Sequence, residues 1–291
     1  MPNHTRRPVV TRFAPSPTGH LHLGHAYSAL FAEKLARQAG GRFLLRIENI
    51  DPVRCNVAHE TAICEDLTWL GLNWEAPVRR QSDHLGDYAE ALARLDGMEL
   101  LYPCFCTRSD IRKEIASAPH APHHGPEGQH YPGTCRRLDR HEAATRRQAG
   151  EPFALRLDTQ KALTMIDGPL FWHDLERGNI IARPEAFGDI VLARKDFPTS
   201  YHLAVTVDDD LQGVTLVTRG EDLLPATDVH RLLQELLGLD VPDYHHHPLL
   251  GDENGQRLAK RDNSLTLGAL RNAGKTADDV RTMAGLWIQA S

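Results

Sequence analysis

The sequence predicts an α/β fold in which a parallel, Rossmann-like sheet is split by an insertion. The chain opens with a strand, a helix and a second strand, and a further α/β stretch follows residue 190. The segment between the two stretches is rich in Pro, Gly, His and Cys. Because a helical crossover pairs the strands that it joins in parallel, the two stretches are predicted to be halves of one sheet.

The opening stretch has the pattern of a strand, helix, strand unit. Residues 9–13 are rich in β-branched side chains and predict a strand, which ends where Pro15 and Pro17 lack backbone donors. From about His22 an amphipathic helix is predicted by apolar residues at steps of three and four: Tyr27, Leu30, Phe31 and Leu35. Two glycines end this helix, and residues 43–47 then predict a buried strand.

The later stretch is predicted to repeat this alternation. Residues 201–207 and 214–218 are β-branched runs, and we predict a strand from each. Residues 225–237 predict a helix that Gly238 terminates, and the chain is expected to be helical again after Arg261. The last helix is indicated by Thr276 as N-cap, Asp279 three residues later, and an apolar face of Val280, Met283 and Trp287.

The composition is that of a globular protein. The 291 residues carry a net charge of −6, and 41% of them are hydrophobic, which excludes fibrous, coiled-coil and disordered classes. No apolar run reaches the roughly 20 residues of a membrane-spanning helix. The start has no apolar stretch typical of a secretory signal, and five cysteines argue against a disulfide framework. We therefore expect a cytoplasmic protein without a membrane partner, built as one domain with an insertion.

A group of cysteines in the insertion resembles a metal site. Cys104, Cys106 and Cys135 supply three soft ligands, one short of a closed tetrahedral zinc site. A neutral imidazole binds zinc more readily than a phenol, which must first lose a proton. Nearby histidines therefore compete with Tyr131 for the fourth position: His120, His123, His124 and His130. Buried cysteines without a metal are the alternative.

An arginine-rich stretch follows the cysteines. Its basic residues are Arg136, Arg137, Arg140, Arg146 and Arg147. They could bind RNA phosphates, which would make RNA affinity depend on salt. A solvated helix face is the equally favoured alternative.

The junction between the first strand and its helix is suited to a phosphate. His20–His25 lies where unpaired N–H groups and the helix dipole favour an anion. His22 and His25 are three residues apart, so both imidazoles could donate to phosphate oxygens. Gly24 would let a planar ligand approach the backbone.

The longer run of residues 12–25, RFAPSPTGHLHLGH, resembles the ATP-binding signature of the class I aminoacyl-tRNA synthetases, in particular the glutamyl and glutaminyl group. Residues 257–261, RLAKR, are similar to the second, lysine-containing signature of that family. The resemblance implies that catalysis depends on His22, His25 and Lys260, and that ATP is bound by Thr18, His22, Gly24, His25 and Lys260. Arg257 and Ala259 depart from the usual residues of the second signature.

A glutamate pocket must pair two carboxylates and one ammonium. Arg12 offers a bidentate fork for a carboxylate, and Glu48, at the end of the next predicted strand, can accept from the ammonium. The resemblance implies that L-glutamate is bound by Arg12, Ala14, Ser16, Glu48, Tyr201 and Arg219. Asn49 departs from the acidic residue of the family, which we do not expect to change the amino acid. In this class the bound carboxylate attacks ATP directly, and Mg²⁺ accompanies ATP.

The resemblance also implies a metal site and a division of the chain into units. It implies one structural Zn²⁺ held by Cys104, Cys106, Tyr131 and Cys135, in an insertion that holds the acceptor end of RNA in synthetases. The predicted units are the first half of the catalytic domain at 1–100, the insertion at 101–189, the second half at 190–246, and the lysine-signature loop with C-terminal helices at 247–291.

About thirty residues follow the lysine signature, too few for an anticodon-binding domain. The chain is therefore similar to the truncated paralogues of the family, the glutamyl-Q tRNA(Asp) synthetases. That resemblance implies an enzyme that activates glutamate with ATP without tRNA, then transfers it to queuosine in the anticodon loop of tRNA(Asp). The alternatives are a short glutamyl-tRNA synthetase that charges a tRNA 3′ end, and a non-catalytic, synthetase-like RNA-binding module.

Overall fold

A computed structural model describes residues 7–117, 124–126, 128–250 and 266–285. Both α-helices and β-strands occur in each half of these residues, as the predicted α/β class requires. The α-helices are α1 Leu23–Gln38, α2 Val57–Trp69, α3 Leu85–Gly97, α4 Arg108–Ser117, α5 Arg140–Gln148, α6 Thr159–Thr164, α7 Tyr201–Leu211, α8 Ala226–Leu237, α9 Leu267–Asn272 and α10 Ala277–Met283. The β-strands are β1 Val10–Phe13, β2 Arg42–Ile47, β3 Glu75–Arg80, β4 Leu101–Cys104, β5 His124–Gly125, β6 Gly128–Gln129, β7 Ala154–Leu157, β8 Phe171–Asp174, β9 Gly178–Ile181, β10 Val191–Ala193, β11 Leu216–Gly220 and β12 Asp243–His247.

Two half-sheets meet along β1 and β11. In the first half, β1, β2 and β3 are parallel neighbours in that order. In the second, β11 and β12 are parallel, and β12 is followed by β8 and β9. The Thr215 N–H donates to the Val10 carbonyl at 3.0 Å, which places the two halves edge to edge. The carboxyl ends of β1 and β11 therefore face one crevice, where open α/β sheets bind their ligands.

The first unit forms as the sequence predicts. Strand β1 leads to α1, and β1 pairs in parallel with β2 from Val10 opposite Arg42. A glycine is needed at position 41, because a Cβ there would lie 2.0 Å from the Val9 carbonyl oxygen. In the second half, the predicted strand over 214–218 and helix over 225–237 are confirmed as β11 and α8, and Gly238 ends α8 in the left-handed conformation.

The prediction of a strand over residues 201–207 is wrong. These residues form the start of α7, whose N-cap Ser200 accepts from the Leu203 N–H through its hydroxyl. Every residue from 202 to 209 is buried. A helix that is covered on all sides shows no amphipathic period, so its apolar, β-branched sequence cannot be told from a buried strand by pattern alone.

The segment between the halves builds a separate sheet together with β10, the first strand of the second half, and also adds to the catalytic sheet. Strands β4, β7 and β10 form an antiparallel sheet. The β8–β9 hairpin instead extends the sheet of β11 and β12, with Asp174 opposite Tyr244 on β12. The insertion thus reaches the second half-sheet through β8.

The C-terminal helices pack on the first unit. The Leu267 N–H donates to the Leu21 carbonyl at 2.9 Å, and Val280 and Ala284 are buried in the core around α1 and α2. Thr276 and Asp279 form the predicted capping box of α10. On the predicted apolar face Val280 is buried but Met283 is 41% exposed, and Trp287 lies outside the described residues. Across the described ranges, none of the helices has the length and apolar character to span a membrane.

Candidate active site

A cavity of about 490 Å³ opens at the carboxyl ends of β1 and β11. It brings together most of the residues that the sequence predicts for glutamate and ATP. Those that line it are Arg12, Ala14, His22, Gly24, His25, Glu48, Tyr201 and Arg219. Residues from both halves of the chain therefore share one chamber, as a ligand crevice between two half-sheets requires.

The start of α1 is capped by two histidines. His22 is the N-cap: its Nδ1 accepts from the Gly24 N–H at 3.1 Å, and the His22 N–H donates to Nδ1 of His25 at 3.2 Å. The ring centroids are 3.8 Å apart. Because both Nδ1 atoms accept, each neutral imidazole carries its proton on Nε2. The cap thereby fixes which nitrogen of each ring can act as a donor to a ligand.

Arg12, at the end of β1, is held by a carboxylate from α7. Its Nε and Nη2 donate to the two carboxylate oxygens of Asp209 at 2.9 and 3.3 Å, and its Nη1 donates to the Thr218 carbonyl at 3.0 Å. Both charged side chains are buried. The bidentate fork that the sequence assigns to a substrate carboxylate is therefore occupied by Asp209 in this structure.

Arg46 extends this ion-pair network. It is fully buried on β2 and donates to Asp209 at 2.7 Å, to Gln212 at 3.0 Å and to Glu48 at 3.2 Å. Burial lowers the pKa of Arg46, but the charges of Asp209, Glu48 and Asp208 outweigh burial and raise it. Burial likewise opposes ionisation of Asp209, but Arg12 and Arg46 lower its pKa overall. Arg46 and Asp209 are therefore both ionised in this network.

Asp208, the neighbour of Asp209, ties the network to β3 and α3. It accepts from Arg79 at 2.7 Å, from Gln81 at 2.9 Å and from the Tyr88 hydroxyl at 2.9 Å. Sequence reasoning missed Arg46, Arg79, Asp208 and Asp209. A signal was present, because consecutive acids in an apolar run and an arginine inside a buried strand need partners.

Glu48 presents a carboxylate to the cavity from the end of β2. Its side chain is 11% exposed, and one oxygen accepts from Arg46. Burial raises the pKa of Glu48, although Arg46 and Arg12 partly offset it. A cationic ligand beside Glu48 would favour its charged form.

Arg219, at the end of β11, has a different environment. Its Nε donates to Nε2 of His246 at 3.1 Å and its Nη2 donates to Thr227 at 2.6 Å. Its Nη1 lies 3.2 Å from Nδ1 of His230 and 3.5 Å from the Tyr201 hydroxyl. No carboxylate of a described residue is paired with it. Arg219 is thus a buried cation at the cavity wall whose described partners are hydroxyls and imidazoles.

The two histidines that contact Arg219, His230 and His246, have neutral imidazoles. Burial, reinforced by the charge of Arg219, lowers the pKa of His246 to about 4 even though Asp174 raises it. Burial and Arg219 also lower the pKa of His230 well below its usual value. A neutral ring can accept from a guanidinium through its unprotonated nitrogen, so the two histidines bind Arg219 without neutralising its charge.

The remaining predicted residues are not among the described residues that line the cavity. Ser16 is exposed, and its hydroxyl donates to the Glu48 carbonyl at 2.6 Å, so it supports the loop that carries Glu48. Thr18 donates its N–H to the Ser16 carbonyl at 2.8 Å. Lys260, with the rest of the lysine signature, lies outside the described residues. Its flanks are at the site, because Leu250 lines the cavity and Thr266 forms a β-bridge with His22.

The three cysteines form a second centre in the insertion. The sulfurs of Cys104, Cys106 and Cys135 all lie within 4.8 Å of one another. The Phe105 N–H donates to the Cys135 sulfur at 3.4 Å, a contact that favours a thiolate. Burial raises the pKa of the Cys106 thiol to about 11. Three converging sulfurs fit a soft, thiophilic cation such as zinc.

Tyr131 faces this cluster and His130 does not. The Tyr131 hydroxyl oxygen lies 3.6 Å from the Cys106 sulfur and accepts from the Cys135 N–H at 2.7 Å. His130 donates from Nε2 to the Ala186 carbonyl at 2.5 Å. His120 and His123 lie outside the described residues.

Most of the arginine-rich stretch has partners within the protein. Arg146 pairs with Glu151 and lies over the Phe105 ring, 4.2 Å from its centroid, while Arg147 lies 4.9 Å from the Phe153 centroid. Arg136 pairs with Asp189. Arg146 and Arg147 therefore lie over aromatic rings that pack with the cysteine cluster, and these contacts favour a structural role over RNA binding for them.

Comparison with known proteins agrees with this geometry. The family model for "tRNA synthetases class I (E and Q), catalytic domain" matches residues 8–286. The chain belongs to this family. Its α/β fold is therefore that of a class I synthetase, and the expectation of a ligase-type enzyme is confirmed.

Similar proteins include both kinds of glutamate enzyme. A glutamyl-Q tRNA(Asp) synthetase from Rhodobacter capsulatus is 50% identical over 96% of this chain and 100% of its own length. A glutamate–tRNA ligase from Aquifex aeolicus is 39% identical over 91% of this chain and 54% of its own. The predicted resemblance to the glutamyl-Q tRNA(Asp) synthetases is confirmed.

Solved structures show the same fold. The glutamate–tRNA synthetase of Elizabethkingia anophelis superposes with a TM-score of 0.74 at 29% identity, and a glutamate tRNA ligase of Elizabethkingia meningosepticum, in complex with its amino acid, with a TM-score of 0.71 at 29% identity. Each match covers 88% of this chain and 53% of the other. The chain thus spans about half the length of these solved relatives.

Proposed function

We propose that this enzyme activates L-glutamate with ATP, without tRNA, and transfers the glutamyl group to queuosine in the anticodon loop of tRNA(Asp). The observation that carries the first step is Arg219, a buried cation on the cavity wall with no described carboxylate partner. Binding an anionic ligand there would supply the missing counter-charge. Glu48 in the same cavity offers a carboxylate for an ammonium, so the pair suits an acidic amino acid.

The orientation of glutamate follows from the chemistry. Its α-carboxylate must meet the α-phosphorus of ATP at the histidine-capped end of α1, so its side-chain carboxylate points to the buried end at Arg219. Glu48 holds the α-ammonium. His22 and His25 then donate through Nε2 to phosphate oxygens, and the enzyme supplies position and charge rather than a nucleophile. Mg²⁺ would accompany ATP, held mainly by phosphate and water oxygens.

Lys260 is proposed to stabilise the charge that develops as pyrophosphate leaves, since a flexible ammonium can follow a moving anion. Leu250 lines the cavity and Thr266 forms a β-bridge with His22, a residue of the cavity wall, which supports this role. Lys260→Ala should reduce adenylate formation with little loss of glutamate affinity. An equal loss of both would contradict the role.

Glutamate-dependent exchange of pyrophosphate into ATP, without tRNA, tests the first step. We expect exchange with glutamate and none without an amino acid. Glutamine is the matched control, because it has the shape of glutamate without the negative charge that Arg219 would bind. Absence of exchange in a folded, zinc-loaded sample would rule out the proposed activation.

The acceptor is proposed from the relative that the chain matches along that relative's whole length, the glutamyl-Q tRNA(Asp) synthetase of Rhodobacter capsulatus. Labelled glutamate should attach to queuosine-containing tRNA(Asp) and not to the same tRNA lacking queuosine. Prior periodate treatment, which oxidises the cis-diol of queuosine and that of the 3′ end, should abolish labelling. Equal labelling of both untreated tRNAs would instead support charging of a 3′ end.

One structural Zn²⁺ is proposed in the insertion, held by Cys104, Cys106, Cys135 and Tyr131. It would stabilise the sheet of β4, β7 and β10 by tying its loops together. Elemental analysis should give one zinc per chain. Tyr131→Phe should lower zinc affinity more than His130→Ala, and the reverse order would transfer the fourth position to His130.

The domain limits and the location are also proposals. We place the catalytic halves at 1–100 and 190–246, the insertion at 101–189, and the lysine-signature region at 247–291. All five cysteines are reduced, including Cys55 and Cys64 outside the cluster, which fits the reducing cytoplasm where ATP and tRNA occur.

A further inference from the structure

The side chains behind Arg219 form an ordered chain that begins in the insertion. Asp174, at the end of β8, accepts from Nδ1 of His246 at 2.7 Å. Nε2 of His246 accepts from Nε of Arg219 at 3.1 Å. His246 lies on β12, beside β8 on one side and β11 on the other, so each member comes from a neighbouring strand. All three side chains are buried.

We propose that Asp174 and His246 position Arg219 for the side-chain carboxylate of glutamate, and that they thereby determine the preference for glutamate over glutamine. This inference rests on the proposed function. The two residues do not line the cavity, so they are positioning residues that act through Arg219.

Asp174 fixes the tautomer of His246. Its Oδ1 accepts from the Glu176 and Arg177 N–H groups at 3.0 and 3.1 Å, and its Oδ2 accepts from the N–H and Nδ1 of His246. The Arg177 guanidinium also donates to Oδ1 at 3.5 Å, so five donors converge on one carboxylate, which must be ionised and only accept. The His246 proton therefore resides on Nδ1, and Nε2 is left to accept from Arg219.

An imidazole holds the guanidinium differently from a carboxylate. A carboxylate at the position of His246 would orient Arg219 but also neutralise it, as Asp209 does for Arg12. His246 orients Arg219 through a neutral acceptor and leaves the positive charge to the ligand. The negative charge of Asp174 is separated from Arg219 by the ring and is bound by backbone N–H groups and by the Arg177 guanidinium at the hairpin turn.

A second histidine arrangement supports the same geometry. Nδ1 of His230 lies 3.2 Å from Nη1 of Arg219, and Nε2 of His230 lies 3.2 Å from Nδ1 of His202. Since Arg219 can only donate, His230 accepts through Nδ1 and donates to His202 through Nε2. Arg219 thus donates hydrogen bonds to two imidazole rings, one on each side of its guanidinium.

The test compares two substitutions of His246 that differ in one property. His246→Leu removes the acceptor, whereas His246→Gln keeps an amide oxygen that can accept from Arg219. We expect His246→Leu to lower kcat/KM for glutamate in pyrophosphate exchange by about 10- to 100-fold, by analogy with the loss of partners that orient metal ligands. The KM for ATP should be unchanged, and His246→Gln should restore most of the activity.

The ratio of glutamate to glutamine activation separates positioning from general damage. His246→Leu should reduce this ratio, because only glutamate uses the charge of Arg219. Asp174→Asn should act in the same direction, since the amide N–H group of asparagine must then face donors that bind a carboxylate oxygen in the wild type. If Asp174→Asn does not fold, the two His246 variants still decide.

The matched control is His245→Gln, on the same strand. His245 contacts Glu176 at 3.2 Å and the Phe31 ring, and it does not contact Arg219. It should keep the wild-type ratio. Three results would overturn the inference: equal losses in His246→Leu and His246→Gln, a parallel rise of the KM for ATP, or an unchanged ratio of glutamate to glutamine activation. In each case pyrophosphate exchange by the wild type would leave the proposed function standing. Absence of wild-type exchange would overturn both.

Discussion

Two buried arginines at the ends of β1 and β11 face the same cavity, yet their partners differ in charge. Arg12 is paired with the carboxylate of Asp209, inside a network that also holds Arg46 and Glu48. Arg219 is held by His246, His230 and Thr227, none of which carries a negative charge here. The first arrangement pairs its positive charge within the protein, and the second leaves a positive charge that we propose binds the ligand.

The difference shows that location at a strand end does not decide whether the charge of an arginine is paired within the protein. A buried cation with a buried carboxylate partner is already satisfied, and removing either member leaves an uncompensated charge. A buried cation among neutral acceptors is oriented but not neutralised. We therefore expect substitutions of Arg12 to affect stability first, and substitutions of Arg219 to affect glutamate first.

The largest expected effect is the loss of glutamate activation in Arg219→Met. Truncating one partner of a buried charge pair costs roughly 2–5 kcal/mol, so kcat/KM for glutamate should fall by between about 30-fold and 5,000-fold. Urea unfolding should show a smaller loss of stability than for Arg12→Met, because removal of a buried charge without a described carboxylate partner offsets the hydrogen bonds lost to His246 and Thr227. A large loss of stability with little change in glutamate kinetics would contradict the comparison.

Arg12→Met should show the reverse balance. It leaves Asp209 with fewer partners in a buried site, so the free energy of unfolding should fall by about 3 kcal/mol. Urea denaturation checks this, and the double variant with Asp209→Asn should recover part of the loss. Stability equal to that of the wild type would show that the ion pair does not hold the half-sheets together.

Glu48→Gln should produce a smaller and more selective change. The amide keeps the shape of the side chain but removes the charge that faces the ammonium, and hydrogen bonds to charged groups contribute about 1.5–3 kcal/mol. The KM for glutamate should rise by roughly 10- to 100-fold with the KM for ATP unchanged. A parallel rise in both would assign Glu48 to the ATP end of the cavity.

The smallest expected effect is a pH dependence of stability from His246. Its pKa is about 4 in the folded protein and 6.5 when unperturbed, so the unfolded chain binds the proton more tightly. The stability is fully present above pH 6.5 and is lost as pH falls towards 4, by about 1 kcal/mol at pH 5.5. His246→Gln should lose less stability than the wild type between pH 7 and 5.5, and an identical slope would contradict the assignment.

Local pattern predicted the first unit well, because its signals are local. The strand around Arg12, the helix that begins after His22 and the strand that delivers Glu48 each have their own period, cap or stop. Helix α7 was mistaken for a strand because tertiary burial covers all its faces and removes the period. Asp208 and Asp209 were missed because the residues from other elements that pair with them lie at least 120 positions away in sequence.

The sequence by itself determined the family and the cysteine cluster, because both are short motifs whose spacing suffices. The roles of Tyr131 and of the residues at the start of α1 stay predictions that the resemblance implies. Only the tertiary structure decided which arginine is neutralised. Asp209 reaches Arg12 from α7, and His246 reaches Arg219 from β12 with Asp174 of the insertion behind it. The electrostatic environment of a buried charge depends on distant segments brought together by folding, and no local pattern records those segments.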